Sequence, residues 1–134
     1  MAVFYDLRLM TLAVLMLVSQ LDSASATVEL RNLRGSKLSG DFGNKPDPYV
    51  LMYCNGQEKI ARKKEATSNP DWTGQVFTFS SCKSGHKLRV EVWDEDPGKD
   101  DHMGTYQGNV GKGSSNPVKF SVGKGTVQFT YNVK

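Results

Sequence analysis

The chain has 134 residues, 38% of them hydrophobic, two cysteines and a formal net charge of +3. That length allows one domain with a real core and leaves no room for a second once a leader is set aside. A charge so mildly basic gives no reason to expect a nucleic-acid partner.

The first segment does not read as part of the fold. Arg8 precedes an apolar run from Leu9 to Val18, and the small-residue exit Ala24-Ser25-Ala26 follows. This is the layout of a secretory signal peptide cleaved after Ala26, and the run is shorter than the roughly 20 residues a spanning helix needs. Residues 1–26 are therefore expected to be a leader, 27–134 the folded domain, and the protein secreted to the extracellular space. Without Arg8, Asp6 and Asp22 the remaining chain carries 16 basic and 12 acidic side chains, a formal net charge of +4. Both cysteines, Cys54 and Cys82, survive cleavage, and an oxidising compartment makes one disulfide the default expectation.

Short strand patterns with turn chemistry between them fill the rest. Residues 27–33 alternate with period two and Arg34-Gly35-Ser36 closes them. Residues 49–54 are apolar and β-prone, and Asn55-Gly56 is the strongest short hairpin signal available, so the chain folds back into a third strand over 57–64. Ser68-Asn69-Pro70-Asp71 breaks the pattern before Trp72, and Val76-Phe77-Thr78-Phe79 resumes it. Residues 87–93 form a fifth strand with Leu88, Val90 and Val92 on one face. Residues 105–110, 118–120 and 126–131 are three more, separated by turns at Gly111-Lys112-Gly113 and Gly123-Lys124-Gly125. Eight short antiparallel strands predict an all-β two-sheet sandwich. Trp72 and Trp93 are expected to pack in its core or at its rim.

After Trp93 the chain enters a loop holding four aspartates, Asp94, Asp96, Asp100 and Asp101. Carboxylates this dense repel one another unless a cation neutralises them. If successive strands alternate in direction, the connection between the first two strands lies at the same end of the sandwich and adds Asp41 and Asp47. Cys54 and Cys82 then fall together at the opposite end, close enough to bridge. Five or six carboxylates at one rim suit one calcium ion, or more readily two sharing bridging oxygens, since each takes 6 to 8 oxygens. Zinc would want His or Cys, and only His102 is near.

These stretches also carry a resemblance. Gly40-Asp41-Phe42-Gly43-Asn44-Lys45-Pro46-Asp47-Pro48-Tyr49-Val50, Asn69-Pro70-Asp71-Trp72, Val92-Trp93-Asp94-Glu95-Asp96 and Asp101-His102-Met103-Gly104 resemble the C2 domain, the calcium-dependent phospholipid-binding sandwich. The resemblance runs the length of 27–134, and among family members it leans toward the secreted perforin-type domains. It implies the permuted topology in which the first strand leads into the first calcium loop. It also implies calcium-ligating aspartates at Asp41, Asp47, Asp94, Asp96 and Asp101, with backbone carbonyl ligands at Phe42 and Glu95. The third loop is one residue shorter than the common pattern: anchoring on Met103-Gly104 selects Asp101, whereas counting from Asp96 selects Asp100 or His102.

Phe42 beside a ligand at a loop tip is suited to enter the interfacial zone of a bilayer, with Pro97, Gly98 and Lys99 of the third loop as further membrane contacts. Lys59, Arg62, Lys63 and Lys64 form a basic stretch on the third strand, readable as an anionic-ligand patch or as a solvated edge that lysines protect. No Gly-x-Ser-x-Gly elbow or comparable nucleophile constellation accompanies His102, so no enzyme is expected. The expected function is a monomeric, secreted module that binds phospholipid membranes with calcium. The alternative is a secreted protein with a structural calcium site that binds another secreted or cell-surface protein, or a glycan, through its basic strand.

Overall fold

The computed structural model describes residues 26–134, so the expected leader, but for Ala26, lies outside the described residues. Eight strands form: β1 (Val28–Ser36), β2 (Pro48–Cys54), β3 (Gln57–Ala61), β4 (Phe77–Phe79), β5 (Lys87–Asp94), β6 (Asp101–Asn109), β7 (Asn116–Val122) and β8 (Gly125–Val133). They make two four-stranded sheets, ordered β4-β1-β8-β7 and β3-β2-β5-β6. Every pairing is antiparallel, and the predicted sandwich is what forms.

Period-two patterning decides which face is buried. Val50 and Met52 on β2, Leu88, Val90 and Val92 on β5, and Val127, Phe129 and Tyr131 on β8 all point between the sheets and are buried. Each such side chain contributes roughly 1.5–3 kcal/mol relative to leaving it in water. The β2–β3 turn is the hairpin that Asn55-Gly56 predicts, with φ of 46° and 77° at its two residues, the positive pair a type I′ turn requires.

Two strand boundaries differ from the sequence reading, each for a tertiary reason. The third strand ends at Ala61 rather than at 64. The buried Trp72 turns its indole Nε1 to donate to the carbonyl of Arg62 at 2.8 Å, which draws that carbonyl out of the ladder before Lys64 N rejoins Pro48 O at 2.9 Å. Arg62, Lys63 and Lys64 therefore lie beyond the strand, and only Lys59 of the expected basic stretch is on it. The sixth strand begins at Asp101, four residues before the expected Thr105. Gly104 does not interrupt it, because a register shift beside Val92 absorbs one extra residue.

The two poles differ in chemistry. One gathers the β1–β2, β3–β4, β5–β6 and β7–β8 connections. At the other, Thr27 and Lys134 exchange backbone hydrogen bonds at 3.2 and 2.9 Å. The Cys54–Cys82 disulfide, with Cα atoms 5.8 Å apart, also lies there, bonded as expected and remote from the aspartates.

Candidate metal centre

The acidic pole is built by strand register. Val92 pairs with Gly104, but Trp93 pairs with His102 and Asp94 with Asp101. The single residue skipped, Met103, is a β-bulge, and its effect is to set two aspartates directly opposite each other across neighbouring strands. Asp96 joins them from the loop. Carboxylate oxygens of Asp94, Asp96 and Asp101 all lie within 4.8 Å of one another. Asp94 is only 4% exposed, and among the described residues it forms no ion pair. Its Oδ1 accepts a hydrogen bond from the backbone N of Asp47 at 2.9 Å. One amide does little to offset a buried anion with two more carboxylates close by.

The other expected ligands fall into place unevenly. Asp47 meets the trio through its backbone, while its own Oδ1 accepts from Ala66 N at 2.7 Å, so the β3–β4 connection braces the first loop. The Asp41 side chain lies outside what the structure describes; its backbone begins the short turn Asp41–Gly43. Asp100 is engaged otherwise: its Oδ2 accepts from the Tyr49 hydroxyl at 2.6 Å and its Oδ1 from Asp96 N at 3.2 Å. Geometry thus separates Asp101, which the Met103-Gly104 anchor selects, from Asp100, with Asp101 in the trio and Asp100 bracing the loop. Glu95 N donates to Asp47 O at 3.0 Å, tying the two loops together.

Three contributors were not legible from sequence. Gly40 lies so close to the site that a Cβ there would meet Asn44 O at 2.8 Å and Asp94 Oδ2 at 3.2 Å. The β7–β8 turn also reaches the rim. Gly123 and Val122 line a pocket of about 150 Å³ together with Ser39, Gly40, Asp94 and Asp101. Tyr49 is the third. Burial first, and then the bond to Asp100, push its hydroxyl above its ordinary pKa, so it stays a proton donor across the accessible pH range. Tyr49→Phe removes the donor that orients Asp100, and with it the hold on Asp96. It should weaken cation binding by about tenfold, as removal of a ligand-orienting group commonly does, without unfolding the domain; calcium titration monitored by tryptophan fluorescence reads this.

The trio fits a hard cation. Its donors are all carboxylate oxygens, the ligand type calcium takes. Among the described residues no imidazole or thiolate joins it, so the donor set does not suit zinc. His102 borders the same pocket but is engaged otherwise: its Nε2 lies 2.6 Å from Thr105 Oγ1 and its ring meets Trp93 edge-on at 5.1 Å.

Around the trio, Phe42 is fully exposed at the tip of the first loop, with φ of 56°, rather than folded onto the core. Pro97, Gly98 and Lys99 are exposed on the loop opposite. Of the basic residues, Lys63 is committed to Glu95 at 3.5 Å and Glu65 at 3.7 Å, and Glu95 chiefly holds its ammonium above its ordinary pKa.

An antiparallel eight-stranded sandwich with paired aspartate loops at one pole is the architecture of a C2 domain. The C2 domain family model matches residues 26–123, and the chain belongs to that family. It is similar to perforin-1 from Homo sapiens, at 28% identity over 110 residues, which cover 81% of this chain and 20% of perforin-1. The chain thus spans about a fifth of the length of that relative. Among solved structures, one titled "Structure of a C2 domain" superposes with a TM-score of 0.74 at 27% identity, covering 81% of this chain and 98% of the other. The C2A and C2B domains of extended synaptotagmin 2, solved calcium bound, superpose at 0.64 with 20% identity, covering 82% of this chain and 46% of the other.

Proposed function

We propose that this protein is a secreted, non-enzymatic module that attaches to phospholipid membranes when calcium occupies its acidic rim. The observation that carries the reading is the trio of Asp94, Asp96 and Asp101 within 4.8 Å of one another, gathered around a buried carboxylate. Family membership supports it, since C2 domains typically bind calcium and phospholipid, and a calcium-bound structure exists among the relatives of like fold. Asp47 and Asp41 bring further oxygens for a second ion. Calcium supplies positive charge at the rim, which then attracts lipid phosphate that the bare carboxylates repel. The chain's own part is to hold those carboxylates together and to present Phe42, with Pro97, Gly98 and Lys99, toward the interface. Extracellular modules commonly bind calcium at about 0.1–1 mM, so at extracellular calcium the rim is largely loaded and membrane exposure becomes the switch.

Co-sedimentation with phospholipid vesicles, in calcium and in chelator, tests this. Pelleting only in calcium is expected; none on any phospholipid mixture would sink the reading. Lys59→Glu with Lys64→Glu should leave pelleting largely intact. Phe42→Ser should lower vesicle affinity by about tenfold or more, the worth of burying a phenyl ring at roughly 1.5–3 kcal/mol, and leave calcium affinity without lipid unchanged. Isothermal titration against calcium alone, beside the vesicle assay, separates the two effects.

A further inference from the structure

A second feature lies on the side of the sandwich. The outer face of the β4-β1-β8-β7 sheet carries a groove of about 670 Å³. It continues toward the acidic pole as a hollow of about 340 Å³ that shares Arg34, Lys119 and Gln128 with it. Register explains the sharing. Arg34 on β1 pairs with Gln128 on β8, which pairs with Lys119 on β7, so the three form one row across three strands. At the usual strand spacing the two cationic residues stand about 10 Å apart at the backbone. The next row toward the rim is all hydroxyl, Ser36 with Thr126 and Thr126 with Ser121.

The charge in this row is poorly compensated. With its amide oxygen turned toward β1, Gln128 accepts from Arg34 at 2.6 and 2.5 Å, a neutral partner that fixes the guanidinium without cancelling it. Among the described residues neither Arg34 nor Lys119 is in a salt bridge, whereas Arg31 on the same strand is paired with Glu29 at 2.8 Å. Asp71, bridged to Arg34 through the backbone, attracts that guanidinium through space, but among the described residues it makes no salt bridge with it, and its Oδ1 accepts from Thr73 N at 2.8 Å and Thr73 Oγ1 at 2.6 Å.

We propose that this groove binds a linear acidic glycan, a chain bearing sulfates or uronates, independently of the calcium rim. The guanidinium N–H groups that Gln128 leaves free and the ammonium on the far side of Gln128 suit sulfates or carboxylates spaced along a chain. Flanking hydroxyls and the amide of Asn32 suit sugar hydroxyls. The ring beneath the groove, Phe129, is buried and offers no stacking platform, so selection rests on charge and hydrogen bonding. A recessed trough along the flank suits a chain better than a flat bilayer, and it leaves the rim free for lipid.

Isothermal titration of the purified protein in chelator with a heparin-derived octasaccharide tests the proposal. The parent should bind equally with and without calcium. Arg34→Gln with Lys119→Gln should lose at least about tenfold in affinity, given two charge-assisted contacts, while Lys59→Gln with Lys64→Gln stays within about twofold. Protection of Lys119 from acetylation by the octasaccharide, read by mass spectrometry on the unmodified sequence, gives the same answer should the double variant fold poorly. No binding by the parent overturns the proposal. So does an equal loss in both double variants, which marks general charge attraction. A groove variant that keeps the octasaccharide but loses anionic vesicles in chelator also overturns it, in favour of a membrane contact.

Discussion

Asp94→Asn should abolish calcium binding, by a hundredfold or more in affinity, yet leave the domain at least as stable as the parent in chelator. Two features of the trio lead there. Asparagine keeps an oxygen able to accept from Asp47 N, the bond now 2.9 Å long, so the link between the loops survives. The lost charge is one of three packed within 4.8 Å; at an effective dielectric of about 20, like charges at such range oppose each other by a few kcal/mol. Removing one relieves the calcium-free state and deprives the ion of its most buried ligand. Thermal melts in chelator and in calcium read both effects at once. The parent should gain about 1.4 kcal/mol at calcium ten times its dissociation constant, several degrees in a domain of this size, and the variant nothing. A variant that melts well below the parent in chelator would instead make Asp94 chiefly a structural tie.

Loss of the disulfide should have the largest effect on stability. Cys54 and Cys82 are 28 residues apart, and closing a loop of that length restricts the unfolded chain by about 3–4 kcal/mol. Both residues are buried, so Cys54→Ala with Cys82→Ala also removes packed atoms. Urea titration of the double variant should show a midpoint lowered accordingly. Its calcium affinity, measured where it is folded, should match the parent's within about twofold, because the bridge and the aspartates occupy opposite poles and share no partner. A large loss of calcium affinity would mean the poles communicate.

The strands were legible because a half-buried sheet writes its period into the sequence: Leu88, Val90 and Val92 alternate plainly, and Asn55-Gly56 names its own turn. The pole at which the aspartates gather also followed from counting strands. What could not be read depends on pairs distant in sequence. Asp101 rather than Asp100 enters the trio because a bulge at Met103 shifts the register by one, and a bulge carries no signature in a single strand. Asp100 is explained by the Tyr49 hydroxyl, 51 residues away. The third strand stops early because Trp72, ten residues on, takes the Arg62 carbonyl, which periodicity cannot show. The row of Arg34, Gln128 and Lys119 exists only once β1, β8 and β7 are laid side by side.

The hydrogen-bonded pair of Thr27 and Lys134 has a practical consequence for anyone handling the domain. An affinity tag, a fluorophore or a surface tether joined at either residue departs from the pole farthest from the aspartates. An immobilised sample therefore presents its acidic loops outward, with every molecule oriented alike, and a reporter fused there leaves Phe42 and the cation-binding rim unobstructed.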